Sequence, residues 1–442
     1  MIVAGRIGGA HAPIDIGLGN FGGKMAHVRA IRASAISASI LALTATSAFA
    51  GGFAVREQSA SLLGSAFAGA ASGAGGLSSA FWNPAAFSTA QSGFSTDSSY
   101  TLILPSSTLS NGATSVDTAI GNVPLPIGGS DTTDIDKVGV LGSSYAAFRY
   151  DQQTVFGISL TSPFGLATEP SDLNWTGRLH GREAEMLTFN VSPTVAYQIA
   201  PGVQIAAGLQ IEYMRLKLWF ASSPALGAAS ASIKAEDTAS IGATAGIILK
   251  PMVGTTVGVG FRSSIKHNLD GNLNTPAGAI PVTAKIETPE MVTASITQAI
   301  TPGLRLLGTV EWTNWSRIDN IAVRGTPFAI DAHWDDGWFF SGGLEYDYSA
   351  LLTFRAGGAF ESSPIQDPTQ RLPQLPDSDR IWATAGATYH YSEWTTVDLG
   401  YAHIFFDDAH IHRGALSNKN LILDADVSQD ANIVSLGIKT RW

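Results

Sequence analysis

The chain is 442 residues long, has no cysteine, and carries 14% charged against 45% hydrophobic residues. Its formal charge of −10 excludes a nucleic-acid surface, which needs a basic footprint. The missing cysteines exclude a disulfide scaffold, and the charged fraction lies well below the roughly 25% of ordinary soluble domains.

In chain order, residues 1–24 read as an upstream extension. Met25 opens a secretory signal: Arg29 and Arg32 precede an apolar run over residues 33–45, and Ala48-Phe49-Ala50 is a small-x-small cleavage site. The run is too short and too rich in Ala and Ser for a membrane anchor. The segment before Gly51 holds four of the 26 basic and one of the 36 acidic residues, so the mature chain carries 22 against 35, a net charge of −13.

Residues 51–93 are Gly-, Ala- and Ser-rich and lack strand character. From Phe94 onward, β-branched and aromatic runs recur, with no stretch of the ~18 apolar residues that a membrane helix requires. Dispersed apolarity of this kind predicts the other membrane solution, a closed antiparallel barrel. Short turns are expected at Asp151-Gln152, 200–202, 251–253, 301–303, Ser349-Ala350 and Ser392-Glu393. Long polar loops are expected over 106–136, 163–185, 222–237, 267–284, 316–335, 363–379 and 407–431. Counting strands between them gives about 14, an even number as in bacterial outer-membrane barrels.

Individual strands alternate cleanly. Val203, Ile205, Ala207, Leu209, Ile211 and Tyr213 share one face, and Gly254, Thr256, Gly258 and Gly260 oppose Thr255, Val257, Val259 and Phe261. Glycine on one face permits a bend or a close approach. Tyr150, Tyr197, Tyr348, Tyr391 and Trp394 flank the short turns. Trp219, Trp312, Trp315, Trp334 and Trp338 lie toward the long loops, so two interface girdles are expected. The final strand alternates from Val434 to Trp442, the aromatic end that barrel assembly machinery reads in such proteins.

A lumen ringed by about 14 strands is too wide for side chains alone to fill. Residues 51–93 are therefore expected to form a plug and residues 94–442 the transmembrane barrel. Pro163 and Gly165 end the third strand-like run. On the residues alone they are either a break in the wall or an ordinary loop start.

Several segments resemble the FadL family of outer-membrane fatty acid transporters, which includes importers of aromatic hydrocarbons. Gly52-Phe53 with Glu57, Ser59 and Gly64 is similar to the family's opening, and Asn83-Pro84-Ala85 to its Asn-Pro-Ala signature. Further matches are residues 162–169, Phe261-Arg262-Ser263, Pro289-Glu290-Met291, residues 312–316 and residues 375–382. The resemblance implies a 14-stranded all-β barrel with an N-terminal hatch, a kink in the third strand at Pro163-Phe164-Gly165, and passive uptake with lateral exit into outer-membrane lipid. The partner implied is a long-chain fatty acid or another hydrophobic small molecule. An aromatic hydrocarbon importer is the near alternative and a general diffusion porin the more distant one.

Phe53, Phe81 and Trp82 would line the route through the hatch or pack the hatch against the wall. A carboxylate in an apolar tunnel needs a cation. The candidates are Arg215 and Lys217 at the outer end of the fifth strand and Arg178, His180 and Arg182 in the preceding loop. Phe220 and about Ile330 fall where the family's best-known member is basic. The run from His403 to His412 reads as a polar rim rather than a catalytic or metal centre. No cofactor is expected.

Overall fold

A computed structural model describes residues 51–221, 230–326, 328–416 and 418–442. The signal segment and the upstream extension lie outside the described residues, as does most of the loop expected after Ala221.

Fourteen antiparallel strands close on themselves. They are β1 (Gly93–Thr118), β2 (Gly139–Arg149), β3 (Thr154–Thr161), β4 (Glu183–Ala200), β5 (Val203–Ala221), β6 (Ser230–Met252) and β7 (Thr255–Arg262). Then follow β8 (Met291–Thr301), β9 (Leu304–Thr313), β10 (Gly337–Asp347), β11 (Leu352–Glu361), β12 (Arg380–His390), β13 (Thr395–Phe406) and β14 (Asn418–Arg441). The seam runs between β1 and β14, from Ser95↔Arg441 to Val116↔Leu421. Closure matters in lipid, where an unpaired sheet edge has no water to bond.

Each strand has a lipid face and a lumen face. On β5, Ile205, Leu209 and Ile211 are exposed while Gln204, Ala206, Gln210 and Glu212 are buried. The outward band continues through Phe261, Ile296, Val310, Phe340, Leu399, Val434 and Leu436. Tight turns join the strands at one rim, with Tyr150, Tyr348, Tyr391 and Trp394 exposed beside them. That rim holds the start of β1 and the end of β14 and is the periplasmic one, whereas Gly51 lies toward the other rim, where its N–H meets Glu361 at the far end of β11.

The other rim departs from expectation in two respects. Much of what reads as loop is strand. β1 runs on to Thr118, and the polar segments after Arg262 and Phe406 form hairpins at Ile265–Thr275/Gly278–Thr288 and Ala409–Ala415/Asn418–Arg441. Beyond the bilayer both faces of a strand can be polar, so low hydropathy there does not signal a loop. The upper girdle is also smaller than expected. Trp338 faces outward, whereas Trp315 and Trp334 are buried inside.

Residues 51–91 contain only short helical pieces: α1 (Ala60–Leu63) and two 3₁₀ turns, Gly76–Phe81 and Pro84–Thr89. Nearly all of this segment is buried. It is hydrogen-bonded to inward side chains from many parts of the circuit: Ala60 N–H to Ser99 on β1, Gly69 N–H to Thr309 on β9 and Ala71 N–H to Ser295 on β8. It approaches the wall closely where the wall presents glycine. A Cβ on Gly258 would lie 1.8 Å from the Ala71 carbonyl oxygen, and one on Gly260 1.8 Å from that of Trp82.

Candidate ligand-binding site

The Asn-Pro-Ala motif is built as a cap. Asn83 is extended and accepts from the Ala85 N–H at 3.0 Å, and Pro84 takes the first helical position, where no donor is needed. The amide of Asn83 then donates to the Ala71 carbonyl at 2.6 Å and to the Ile247 carbonyl on β6 at 2.9 Å. One side chain thus starts a turn, folds the segment on itself and fastens it to the wall.

The wall is interrupted beside this segment. β3 pairs with β4 up to Thr161↔Asn190, and pairing resumes only at Gly165↔Leu187 in the short strand Gly165–Thr168. The β2–β3 register spans Arg149↔Val155 to Ser144↔Leu160, while β2 itself continues to Gly139. Between these points residues 162–164 leave the sheet and meet the N-terminal segment. Val55 N–H donates to the Pro163 carbonyl at 2.8 Å, and Gly165 N–H to the Phe53 carbonyl at 2.9 Å, with Ala54 paired opposite Phe164. Phe164 N–H donates to Thr188 Oγ1 at 2.9 Å. Gln58 bridges the same place: its side-chain amide donates to the Ser162 carbonyl at 2.7 Å, and its backbone carbonyl accepts from Ser143 and Tyr145 of β2. The backbone groups freed by the interruption are therefore satisfied by protein, as a break at membrane depth requires.

Above it lies an apolar cluster. The ring of Phe53 is 4.7 Å from Trp315, 5.7 Å from Phe164 and 5.7 Å from Trp334, mostly edge to face. Met186, Met214, Leu269 and Leu375 complete it. Gly52 adopts φ +62° with Trp315 against its Cα, so the turn that delivers Phe53 needs glycine twice over. A buried polar anchor holds the start of the segment. Gly51 N–H meets Glu361, Gly52 N–H meets Asp377, and Arg56 pairs with Glu311 at 2.8 Å and Glu361 at 3.2 Å.

The anticipated cations stand elsewhere. Arg215 and Lys217 continue the outward face of β5 and pair with Glu185 on the outer surface, so neither lines the lumen. Arg178 is buried, and its guanidinium donates to the carbonyls of Ile127, Gly128, Asn174 and Trp175, which ties two extracellular loops together. His180 bonds the Leu421 carbonyl at 2.8 Å, and burial pushes its imidazole down to about 4, leaving it neutral. Arg182 is likewise buried within that loop. Phe220 packs edge to face on Phe328 in an apolar patch of the loops. Phe81 and Trp82 lie deeper than Phe53, packed on each other at 5.0 Å and, through Trp82, on Phe67 at 5.4 Å.

His410 and His412 pair with Asp424 and Asp426 on the facing strand, and His403 with Asn432. Among the described residues no three metal-ligating side chains converge.

A closed barrel with a lipid-facing band, an apolar internal cluster and a protein-filled lumen defines an outer-membrane protein that handles hydrophobic molecules. Residues 41–442 match the family described as outer membrane protein transport protein (OMPP1/FadL/TodX), and the chain belongs to that family. It is located in the bacterial outer membrane. It is 24% identical over 409 residues to a long-chain fatty acid transport protein of Escherichia coli, covering 81% of this chain and 88% of that one. Among solved structures, a Pseudomonas aeruginosa FadL homologue superposes with a TM-score of 0.79 at 20% identity, over 88% of this chain and 99% of the other. The Pseudomonas putida toluene transporter TodX gives 0.60 at 14%, over 82% and 94%. These two likenesses concern the fold.

Proposed function

We propose that the protein is a passive uptake channel for long-chain fatty acids or similar hydrophobic molecules. Residues 51–93 act as a movable hatch, and the ligand leaves sideways between β2 and β3. The observation that carries this reading is the interrupted wall at residues 162–164, where the carbonyls of Ser162 and Pro163 are capped by the N-terminal segment and only Phe164 still bonds the neighbouring strand, at Thr188. Phe53, Phe164, Trp315 and Trp334 form the outer apolar site. Phe81 and Trp82 form the inner surface, and the turn held by Asn83, Pro84 and Ala85 links the hatch to the wall. Lateral exit suits the cargo. A chain of about 15 methylenes costs roughly 12 kcal/mol to place in water, and transfer into the bilayer avoids that. The periplasmic rim holds a cavity of about 560 Å³, lined by Asp97, Lys439 and Arg441 together with Leu77, Leu351, Tyr391 and Trp394. The final strand ending at Trp442 serves as the signal to the barrel assembly machinery.

The four-ring cluster would also accept an aromatic molecule, so a hydrocarbon importer is the second reading. Uptake of labelled palmitate and of labelled toluene by cells that lack their own importer and express this chain separates the two. Palmitate uptake well above the vector control is expected. Accumulation of toluene alone would favour the second reading, and accumulation of neither would refute both.

A further inference from the structure

Arg262 ends β7 on the lumen face, in line with Gly258 and Gly260, and is only 4% exposed. One guanidinium nitrogen donates to the Phe81 carbonyl at 3.2 Å, and the guanidinium carbon stands 4.6 Å from the Phe81 ring centroid. The other terminal nitrogen is buried without a partner among the described residues. Five other cations inside the barrel are treated differently. Arg56, Arg305, Arg355, Arg380 and Lys439 each meet an aspartate or glutamate. The acids nearest in kind are already committed: Glu212 accepts from Asn190 and His267, and Glu311 from Arg56 and Thr293.

Glu212 and Glu311 act on Arg262 only through space; a buried guanidinium with no anion bonded to it is costly, and arginine cannot shed its proton to escape the cost. Its fork also matches a carboxylate geometrically. Phe81, which lies against it, packs on Trp82, and Trp82 on Phe67, a continuous apolar cluster along which a hydrocarbon body would lie. We infer that Arg262 is the internal carboxylate site. The ligand's head group pairs with the free guanidinium nitrogen while its chain lies on the hatch aromatics. The bond to the Phe81 carbonyl makes this a site shared between wall and hatch, so an arriving anion competes for the group that holds the hatch. This inference rests on the uptake reading and narrows its cargo to hydrocarbon acids.

The test is equilibrium binding of laurate and of dodecanol to the whole barrel in amphipol, for wild type, Arg262→Gln and Arg262→Lys. The wild type is expected to prefer the acid. Arg262→Gln should weaken laurate about tenfold or more, as loss of a hydrogen bond to a charged group implies, and leave dodecanol unchanged. Arg262→Lys, which keeps the charge and the fold, should retain most of the preference. Unchanged laurate binding in Arg262→Gln, equal loss of both ligands, or a wild type indifferent to the head group would each overturn the Arg262 assignment and leave hydrophobic uptake standing. A wild type that binds neither laurate, dodecanol nor toluene would overturn the uptake reading and this site with it.

Discussion

Replacing Pro163 and Gly165 together by valine is expected to slow uptake about tenfold or more, roughly 1.4 kcal/mol added to the barrier, while binding at the outer apolar cluster persists. Pro163 offers no N–H to a neighbouring strand, and so its presence removes one reason for residues 162–164 to rejoin the sheet. Valine restores the donor and favours the extended state. A side chain at Gly165 meets Val55 of the N-terminal segment, with a Cβ already 3.2 Å from its methyl. Both changes push the segment toward a continuous wall and away from the hatch. Uptake by whole cells and ligand binding by the purified barrel are the two readouts. Normal heat-modifiable mobility would show that the variant had assembled. Wild-type uptake in an assembled variant would remove the gap from the pathway.

Gly258→Val with Gly260→Val should have the largest effect on structure. Both positions face inward, and a Cβ at either lies 1.8 Å from a backbone carbonyl oxygen, Ala71 or Trp82. Backbone cannot swing aside as a side-chain end can, so the N-terminal segment must shift. Overpacking of a close-packed interior costs about 1–3 kcal/mol per site, and two adjacent clashes place the total near the upper end or above. The barrel wall needs no such close approach and should still assemble. The expected result is a folded barrel whose N-terminal segment is cut by protease and whose lumen passes ions in a planar bilayer. A closed, protease-resistant double variant of wild-type thermal stability would show that the segment does not depend on these glycines.

The alternation that makes the barrel legible also carries information about its interior. The face of β5 that holds Ile205, Leu209 and Ile211 runs on through Tyr213 to Arg215 and Lys217, which places both cations outside. The face of β7 that holds Gly258 and Gly260 runs on to Arg262, which places it inside. Each assignment follows from a period of two, and choosing cations by charge and height along the strand, without regard to face, is what points to Arg215 and Lys217. The extracellular hairpins were legible in the same way: Leu269, Leu273, Val282, Ala284 and Ile286 alternate, but their polar partners give the segment the look of a loop. Trp315 and Trp334 are different. They lie outside the barrel strands, on the connection from Thr313 to Gly337, where no periodicity fixes a direction. Inside, they pack on Phe53 and Phe164, residues far from them in the chain. Gln58 was equally silent, since its partners Ser143, Tyr145 and Ser162 are set by tertiary structure alone.

The proposed pathway requires the N-terminal segment to part from the wall at Phe164. Ala54 and Phe164 pair directly, flanked by the hydrogen bonds Val55–Pro163 and Gly165–Phe53. Cysteines at such opposed positions fall within disulfide geometry, and the natural chain has no cysteine to interfere. The decisive measurement is fatty acid uptake by Ala54→Cys/Phe164→Cys before and after oxidation, with the reduced form as its own control. Uptake that stops on oxidation and returns on reduction is the predicted result. Uptake that continues unchanged with the crosslink formed would contradict the account.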